Sequence, residues 1–313
     1  MMEFAILGRT GLKASVVGLG CGGPSRIGQN QGISEADSVR VVREALGAGI
    51  NIVDTAEAYR TEALVGKALC EARREEVIVS TKKSTWGDVP LFKAAIVQSL
   101  EASLKNLRTD YVDIYHLHAV LPKDYAAVRE EVVPTLLDLK AEGKIRFLGI
   151  TEMFHQDAGH AMLRQALQDD CWDVMMVGFN LLNQSARDRV LSKTIEKNIG
   201  TLIMFAVRRA LSREDRLREV LRDLEERGLL DSGSVDPAAP LGFLVHDDGA
   251  ASVTDAAYRY CRHEPGADVI LSGTGNVDHL RENIRSLLRE DLPRSDRKRL
   301  EEIFVCVDDI SGD

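Results

Sequence analysis

Short, strongly apolar runs alternate with longer amphipathic runs along the whole sequence. Most of the apolar runs lack the regular polar–apolar alternation of a strand with one face in water, so they predict strands that are buried on both faces. The amphipathic runs between them carry apolar residues at helical spacing. The eight apolar runs are residues 15–19, 50–54, 76–81, 111–118, 145–151, 173–177, 201–205 and 267–272.

The amphipathic runs predict the helices that join these strands. Ser34 precedes the first of them, and the acidic Asp37 follows it within the first turn, which is close to a capping box. Gly47 and Gly49 mark the end of that helix. The other predicted helices are residues 90–107, 126–141, 212–226, 252–262 and 276–288.

Strand–helix units in succession predict parallel strands joined by crossovers. The predicted fold class is α/β, a (β/α)8 TIM barrel, in which chemistry collects at the carboxyl ends of the strands. Residues 3–7 and 12–14 flank a Gly-Arg-Thr-Gly turn and predict an N-terminal β-hairpin across the bottom of the barrel. A longer stretch before the last strand predicts an inserted helix and loop, so we expect one domain over residues 1–313.

Charge and cysteine usage argue against several classes of protein. The 40 basic and 49 acidic residues give a net charge of −9, whereas a nucleic-acid-binding domain needs a basic face. The apolar runs are shorter than the ~20 residues of a bilayer span, and the first residues do not resemble a secretory signal. The 5 cysteines are scattered without a C-x-x-C pair, as expected in a reducing compartment. We therefore predict a cytoplasmic protein with no nucleic-acid or membrane partner, no metal, and an oligomeric state that the sequence leaves open.

Four polar residues lie at or just after the ends of neighbouring predicted strands. Asp54 ends the second strand, Lys82 follows the third and His118 ends the fourth, while Tyr59 lies in the loop after Asp54. Taken singly, an aspartate after a strand is typical of a helix cap, a lysine is typically solvated, and a tyrosine is typical of packing. Together they bring an acid, a cation, an imidazole and a phenol to one mouth of the barrel.

This set of side chains suits the reduction of a carbonyl group. A phenol has a pKa of ~10 in water, and a nearby ammonium lowers that pKa by favouring the phenolate. We therefore expect Lys82, held by Asp54, to lower the pKa of Tyr59, which donates a proton to the carbonyl oxygen. His118 is expected to orient that oxygen through a hydrogen bond. A hydride donor is then needed for the carbonyl carbon.

Several ordered motifs resemble the signatures of the aldo-keto reductases. They are residues 53–59 (VDTAEAY), 80–82 (STK), 113–118 (DIYHLH) and 143–151 (GKIRFLGIT), with 7–12 (LGRTGL) and 273–276 (GTGN) in agreement. The resemblance covers nearly the whole chain. It implies an NAD(P)H-dependent enzyme that reduces an aldehyde or ketone to an alcohol, or catalyses the reverse. It also implies that Asp54, Tyr59, Lys82 and His118 occupy the four catalytic positions.

The residues expected to hold the nicotinamide depart from the family's pattern. Thr151 and Glu152 stand where many members have Ser-Asn, and an ionised Glu152 accepts hydrogen bonds but cannot donate them. Met176 replaces a glutamine, and Met204, or Phe205 if the register shifts by one, takes the place of a stacking aromatic residue. The residues predicted on this side of the cofactor are Gly20, Cys21, Gly22, Thr151, Glu152, Met204, Phe205 and Ala206.

The predicted phosphate side also departs from the pattern. Members that prefer NADP often carry Lys-Ser and a later arginine where this chain has Gly273, Thr274 and His279. Backbone N–H groups of residues 273–275, the start of the following helix and the basic pair at 208–209 are expected to bind phosphate instead. That pair is also typical of a solvated surface. We expect NADP(H), with NAD(H) as the alternative. The residues predicted on this side are Arg208, Arg209, Gly273, Thr274, Gly275, His279 and Asn283.

Parts of the sequence also resemble three other kinds of protein. Residues 18–23 contain G-x-G-x-x-G after a strand, but Pro24 follows and no helix is predicted to open there, unlike in a Rossmann domain. His116 and His118 point to the same side of a strand, as in metal-dependent hydrolases on barrels, whose catalytic zinc needs about three protein ligands. The third interpretation is a regulatory subunit that binds a nicotinamide cofactor and turns over slowly.

The loops after the strands are expected to set substrate specificity. We predict that Trp86 and Phe154 line the pocket for a small carbonyl or alcohol substrate, with residues 119–123 and 212–240 nearby. Trp86 is equally typical of a packing residue.

Overall fold

A computed structural model describes residues 1–87 and 89–313, and it confirms the predicted barrel. The strands are β1 (Phe4–Ile6), β2 (Lys13–Ser15), β3 (Val17–Gly20), β4 (Ile52–Asp54), β5 (Ile78–Ser84), β6 (Val112–Val120), β7 (Ile145–Glu152), β8 (Val174–Gly178), β9 (Gly200–Met204) and β10 (Val269–Ser272). β1 and β2 form an antiparallel pair. β3 to β10 close into a parallel barrel in chain order, with β10 paired to β3.

Helices connect successive strands of the barrel. The α-helices are α1 (Glu35–Gly47), α2 (Glu62–Leu69), α3 (Lys93–Leu107), α4 (Tyr125–Ala127), α5 (Val133–Ala141), α6 (Ala161–Ala166), α7 (Ser192–Lys197), α8 (Arg209–Ser212), α9 (Glu214–Glu226), α10 (Val253–Arg262), α11 (Val277–Leu287) and α12 (Arg294–Phe304). Short 3-10 segments are Gly8–Thr10, Arg26–Gln31, Glu57–Tyr59, Arg74–Glu76 and Gly242–Leu244, and π-helical turns are Val128–Val132 and Arg187–Leu191.

Side-chain caps fix the starts of several helices. Ser34 Oγ accepts a hydrogen bond from Asp37 N at 3.1 Å, which confirms the predicted cap of α1. Ser252 Oγ accepts from Asp255 N at 3.1 Å in the same way at the start of α10. Each of these bonds satisfies an N–H group that the first turn of a helix leaves without a partner.

Two predicted helices differ from those in the structure. Arg213 is extended (φ −138°, ψ 116°), so the predicted helix 212–226 begins two residues later as α9, and Ser212 instead ends the short helix α8. In the predicted helix 126–141, a π-helical turn separates α4 from α5, and Pro134 lies in the first turn of α5. Proline has no N–H group to donate into the preceding turn, so the regular pattern cannot continue through it.

Apolar side chains fill both faces of the barrel strands. Val79, Leu117 and Ile150 belong to the outer layer between strands and helices. Residues on the other face of the strands, such as Ile78 and Ile114, form an inner layer. Since successive side chains of a strand point to opposite faces, one strand supplies both layers. The interior is therefore a packed core that supports the polar residues at the strand ends.

The predicted N-terminal hairpin closes the bottom of this inner layer. Leu7 is fully buried against the layer's side chains, whereas its neighbour Ile6 is 58% exposed. Gly8 follows with φ +47°, and a Cβ atom there would lie 2.2 Å from Gly200 N at the start of β9. Only glycine fits a left-handed position so close to another backbone.

β5 and β6 extend beyond their predicted ends. Their pairing continues through Lys82 with His116 and Ser84 with His118. Lys82 and His118 therefore lie within strands and not just after them or at their ends. The backbone pairing between β5 and β6 holds these two residues more firmly than a loop would.

The stretch between β9 and β10 holds α8, α9 and α10, as the predicted insertion requires. Within residues 1–87 and 89–313, no helix has the length and apolarity needed to cross a bilayer.

We expect Leu7→Ala to lower the free energy of unfolding by about 2–5 kcal/mol, because it leaves a cavity under the barrel. Ile6→Ala is the matched control, and its exposed side chain predicts a change within about 0.5 kcal/mol. Urea unfolding followed by circular dichroism measures both. Equal losses for the two variants would show that Leu7 does not plug the barrel.

Candidate active site

The structure brings together the four residues that the sequence placed at neighbouring strand ends. Asp54 is the last residue of β4, and Lys82 and His118 lie near the carboxyl ends of β5 and β6. Tyr59 ends the 3-10 turn Glu57–Tyr59 that follows β4. The turn brings the phenol back over the strand ends, so the four side chains share the upper mouth of the barrel.

A fully buried ion pair lies at the base of this group. Lys82 Nζ is 2.5 Å from Asp54 Oδ2 and donates a second hydrogen bond of 2.7 Å to the carbonyl of Thr55. Asp54 Oδ1 accepts a hydrogen bond of 2.7 Å from Ser80 Oγ. Burial lowers the pKa of Lys82, and the charge of Asp54 opposes that effect. These bonds fix the ammonium beneath the site and compensate part of its lost hydration.

Tyr59 faces His118, and the expected fall in its pKa is wrong. The hydroxyl lies 3.2 Å from His118 Nε2. Burial and the charge of Asp54 raise the pKa of Tyr59 above its ordinary value, while Arg208 opposes them. Lys82 Nζ lies 5.1 Å from the centre of the Tyr59 ring. Its charge is compensated by Asp54, so Tyr59 remains a protonated phenol at neutral pH.

His118 is a neutral imidazole in this arrangement. Burial lowers its pKa well below the ordinary value, and the charge of Lys82 lowers it further. A neutral imidazole has one donor and one acceptor nitrogen, so its contact with Tyr59 can run in either direction. Trp86 packs edge-on against the His118 ring, with 4.7 Å between the ring centroids. This contact places Trp86 beside the catalytic candidates, and its place in the substrate pocket stays a prediction.

A cavity of about 140 Å³ opens beside Tyr59 and Asp54. Its lining includes Gly20, Gly22, Met176, Met204 and Phe205, together with Pro24, Val207, Arg208, Leu271 and Gly273. Met204 and Phe205, the two alternatives for the stacking position, both line it. A Cβ atom on Gly22 would lie 2.4 Å from the Tyr59 ring, so glycine is required at that position for the phenol to fit.

Cys21 and Ala206, two of the predicted cofactor residues, do not line the cavity. Cys21 is fully buried, and its backbone N–H donates to the Asp54 carbonyl at 2.7 Å. Burial and then the charge of Asp54 raise the pKa of its thiol. Ala206 is also buried and does not belong to the cavity lining.

The predicted contact of Thr151 and Glu152 with the nicotinamide is not supported by their placement. Thr151 Oγ1 accepts a hydrogen bond of 2.7 Å from Ala119 N. The buried Glu152 carboxylate lies 2.9 Å from His160 Nδ1 and accepts a bond of 2.8 Å from Gly178 N. Neither side chain lines the cavity, because each holds neighbouring protein segments together.

Phe154, predicted to line the substrate pocket, lies beneath the surface of this cavity. Its side chain is only 1% exposed and does not line the cavity. The ring stacks on His160, with centroids 5.5 Å apart, and meets the Phe205 ring edge-on at 5.2 Å. Phe154 therefore supports Phe205 from behind. A pattern of residue types cannot distinguish such a supporting ring from one that lines the pocket.

A second cavity, of about 630 Å³, adjoins the first and contains most of the predicted phosphate-side residues. Arg208, Arg209, Gly273, Thr274, His279 and Asn283 line it, along with residues that the sequence did not indicate: Ser25, Gln31, Arg213, Ser252, Thr254, Asp255, Tyr258, Glu282 and Ser286. Tyr258 and Asn283 each hydrogen-bond the Ser272 hydroxyl, at 3.0 and 2.9 Å. This network holds the Asn283 amide at the end of the cavity.

The predicted use of the helix start for phosphate needs correction. Asn276 Oδ1 already accepts hydrogen bonds from the backbone N–H groups of Asp278 and His279. Gly275 does not line the cavity, because it packs against Gly28, whose Cα would lie 2.4 Å from a Cβ on Gly275. The N-terminal donors of α11 are therefore partly used by the protein itself.

Arg208 lies where the two cavities meet, and an internal anion holds it. Its Nε and Nη2 lie 2.9 and 2.6 Å from the Asp313 carboxylate oxygens. The guanidinium also lies over the Phe205 ring, 4.2 Å from its centre. No sequence motif indicates Asp313, which is far from Arg208 along the chain. Arg209 is exposed and has no ion pair with any of the residues described.

His116, the other histidine of the pair on β6, is fully buried, and its ring packs over Gly149. In the described part of the chain, no three His, Cys, Asp or Glu side chains are grouped as metal ligands.

Comparison with known proteins identifies the family. The model of the aldo/keto reductase family matches residues 18–304. The chain is 30% identical over 291 residues to the aldo-keto reductase YhdN of Bacillus subtilis, covering 87% of this chain and 85% of that protein. It is 32% identical over 207 residues to the NADH-specific methylglyoxal reductase of Escherichia coli, covering 59% of this chain and 61% of that one.

A solved structure with the same fold supports the assignment of the barrel. The aldo-keto reductase AKR11C1 from Bacillus halodurans, in its holo form, superposes with a TM-score of 0.73 over 96% of both chains at 24% sequence identity.

We expect Lys82→Met alone to lower the free energy of unfolding by about 3–5 kcal/mol at pH 7, because it leaves Asp54 charged, buried and unpaired. The double variant Asp54→Asn with Lys82→Met is expected to recover most of that loss, since no charge remains. Urea unfolding of the single and double variants measures the difference. If both were equally unstable, the ion pair would not be the source of the cost.

Proposed function

Since the chain belongs to the aldo/keto reductase family and is an NAD(P)-dependent oxidoreductase, we propose that it reduces a small aldehyde or ketone with Tyr59 as the proton donor. The observation that carries the proposal is the position of the Tyr59 hydroxyl. It lies 3.2 Å from a neutral His118, at a cavity, above the buried pair of Lys82 and Asp54. A protonated phenol at such a place is a general acid with a partner that can orient the carbonyl oxygen.

The two adjoining cavities fit an extended dinucleotide. They share Arg208 and Gly273, together with Pro24 and Val207, so they form one groove from Tyr59 towards Asn283. Met204 and Phe205 would hold the nicotinamide ring, Arg208 the diphosphate and Asn283 the adenine. When bound, the reduced cofactor supplies the hydride that a carbonyl carbon accepts.

The chain's own residues complete the reduction with one proton. His118 orients the carbonyl oxygen, and Tyr59 donates its phenolic proton to that oxygen while the carbon gains the hydride, so the product is an alcohol. An alkoxide is more basic than a phenolate, so a phenol with a raised pKa can still protonate it. The phenolate that remains on Tyr59 then regains its proton from solvent.

We assign NADP(H) as the cofactor on the basis of the basic side chains in the larger cavity. Besides Arg208, which is assigned to the diphosphate, Arg209 and Arg213 line it, and a 2′-phosphate needs such donors. NAD(H) is the alternative, because positions 273 and 279 carry no lysine or arginine and Glu282 lines the same cavity. The NADH-specific relative in Escherichia coli supports this alternative. Titration with NADPH and NADH, followed by quenching of the protein's tryptophan fluorescence, decides between them.

Tyr59→Phe is expected to lower kcat by at least about 10²–10⁴ with methylglyoxal, because it removes the general acid. The dissociation constant for NADPH should stay within about twofold. Tyr111→Phe, at the opposite end of the barrel, is the matched control and should keep full activity. A Tyr59→Phe enzyme with unchanged kcat would assign the proton to another group. A wild-type protein that shows one burst and no steady turnover would instead indicate the regulatory-subunit function.

We also expect Asp313→Ala to tighten NADPH binding by about threefold to tenfold, since a free Arg208 no longer exchanges an internal carboxylate for the diphosphate. Asp309 pairs with Arg227, away from both cavities, so Asp309→Ala is the control for loosening the same segment. It should leave the NADPH dissociation constant unchanged. Fluorescence titrations at two salt concentrations measure these constants. Unchanged or weaker binding by Asp313→Ala would show that Asp313 does not compete for Arg208.

A further inference from the structure

Glu57 is a charged residue that the proposed mechanism does not use. It begins the 3-10 turn that ends at Tyr59. Its carboxylate accepts a hydrogen bond of 2.8 Å from Ser84 N and lies 3.2 Å from Lys83 Nζ. The hydroxyl of Ser99, on α3, donates to the second carboxylate oxygen. One side chain thus connects the turn carrying Tyr59 to β5 and to α3.

Side chains from both faces of β5 bind the segment from Asp54 to Glu57. Lys82 and Lys83 are consecutive in that strand, so their side chains leave it on opposite faces. Lys82 binds Asp54, and Lys83 binds Glu57. Each end of the segment that leads to Tyr59 is therefore tied to the strand that carries Lys82.

The contacts of Glu57 also connect the turn that carries Tyr59 to the strand that carries His118. Ser84, whose N–H binds Glu57, is paired in register with His118 across β5 and β6. The hydroxyl of Ser99 also lies 3.3 Å from the Tyr115 hydroxyl, which belongs to β6. Glu57 is thus linked directly to β5, which carries Lys82, and through Ser99 to β6, which carries His118.

We propose that Glu57 is a positioning residue for Tyr59, setting the distance between the phenol and His118 through its bonds to Lys83, Ser84 and Ser99. This inference rests on the proposed role of Tyr59 as the proton donor. A displacement of about 1 Å in a reacting group costs as much as ~10²-fold in rate. Because the Glu57 carboxylate holds the turn Glu57–Tyr59, its removal can displace the phenol by such an amount.

The charge state of Glu57 agrees with this role. Burial raises the pKa of the Glu57 carboxyl. The hydrogen bonds from Ser99 and Ser84 and the charge of Lys83 lower that pKa by more than burial raises it, so the net pKa is below the ordinary value. The carboxylate is therefore ionised at neutral pH and accepts all of these bonds.

Asp113 offers a matched comparison within the same two strands. It is a buried carboxylate on β6 that binds Arg74 at 2.8 Å and Arg146 at 2.6 Å and accepts a hydrogen bond of 2.9 Å from Val79 N. These contacts are of the same kinds as those of Glu57, but they lie near the opposite end of the barrel. Replacing Asp113 changes stability without touching the turn that carries Tyr59.

The test compares Glu57→Ala, Glu57→Gln, Ser99→Ala and Asp113→Asn with the wild type. We expect Glu57→Ala to lower kcat with methylglyoxal by about 10- to 100-fold, with the NADPH dissociation constant within about twofold. Glu57→Gln keeps an acceptor for Ser84 and Ser99 and should recover most of kcat. Asp113→Asn should have a lower melting temperature than the wild type and an unchanged kcat. If Glu57→Ala does not fold, Ser99→Ala, which removes one bond to the carboxylate, should show a smaller loss of kcat.

Failure of this inference is distinguishable from failure of the proposed function. Suppose that Tyr59→Phe abolishes turnover, while Glu57→Ala and Ser99→Ala lower the melting temperature without lowering kcat, as Asp113→Asn does. Glu57 then has no positioning role. If Tyr59→Phe keeps full turnover, the proposed proton donor is wrong whatever the Glu57 variants do.

Discussion

The ion pair between Lys82 and Asp54 is the interaction on which the site depends. Neither side chain is more than 4% exposed, and the pair lies where the core of the barrel meets its open mouth. Removing two charges from water is costly, so the surrounding bonds from Ser80 and to Thr55 are needed to hold them. The strands, the hairpin beneath them and the loop after β4 together form the buried environment of the ion pair. The fold's contribution to chemistry is a cation that is dry, fixed and already paired.

Local sequence patterns were sufficient for the barrel and for the four central residues. The apolar runs identify strands because burial on both faces leaves no alternation, and Ser34 identifies a helix start because its hydroxyl bonds within one turn. Asp54, Lys82 and His118 could be grouped because parallel strands present their carboxyl ends at one face. Their mutual placement follows from topology and needs no knowledge of individual contacts.

Contacts between distant segments could not be foreseen in this way. Glu152 was expected to meet a cofactor, but it binds His160 and the β8 backbone, and Phe154 packs behind Phe205. The pKa of Tyr59 moves in the direction opposite to that expected, because burial outweighs a cation whose charge Asp54 compensates. These outcomes depend on how completely each group is surrounded, which is a property of the whole fold and not of any short motif.

The buried thiol of Cys21 has a consequence for the protein's chemical durability. It follows β3 directly, and its backbone is bonded to Asp54. Thiolates, not thiols, attack electrophiles, and burial holds this group in the thiol form. Aldehydes are themselves electrophiles that modify reactive cysteines. A barrel proposed to hold aldehydes thus keeps a cysteine next to its ion pair without exposing a nucleophile that its own substrates would consume.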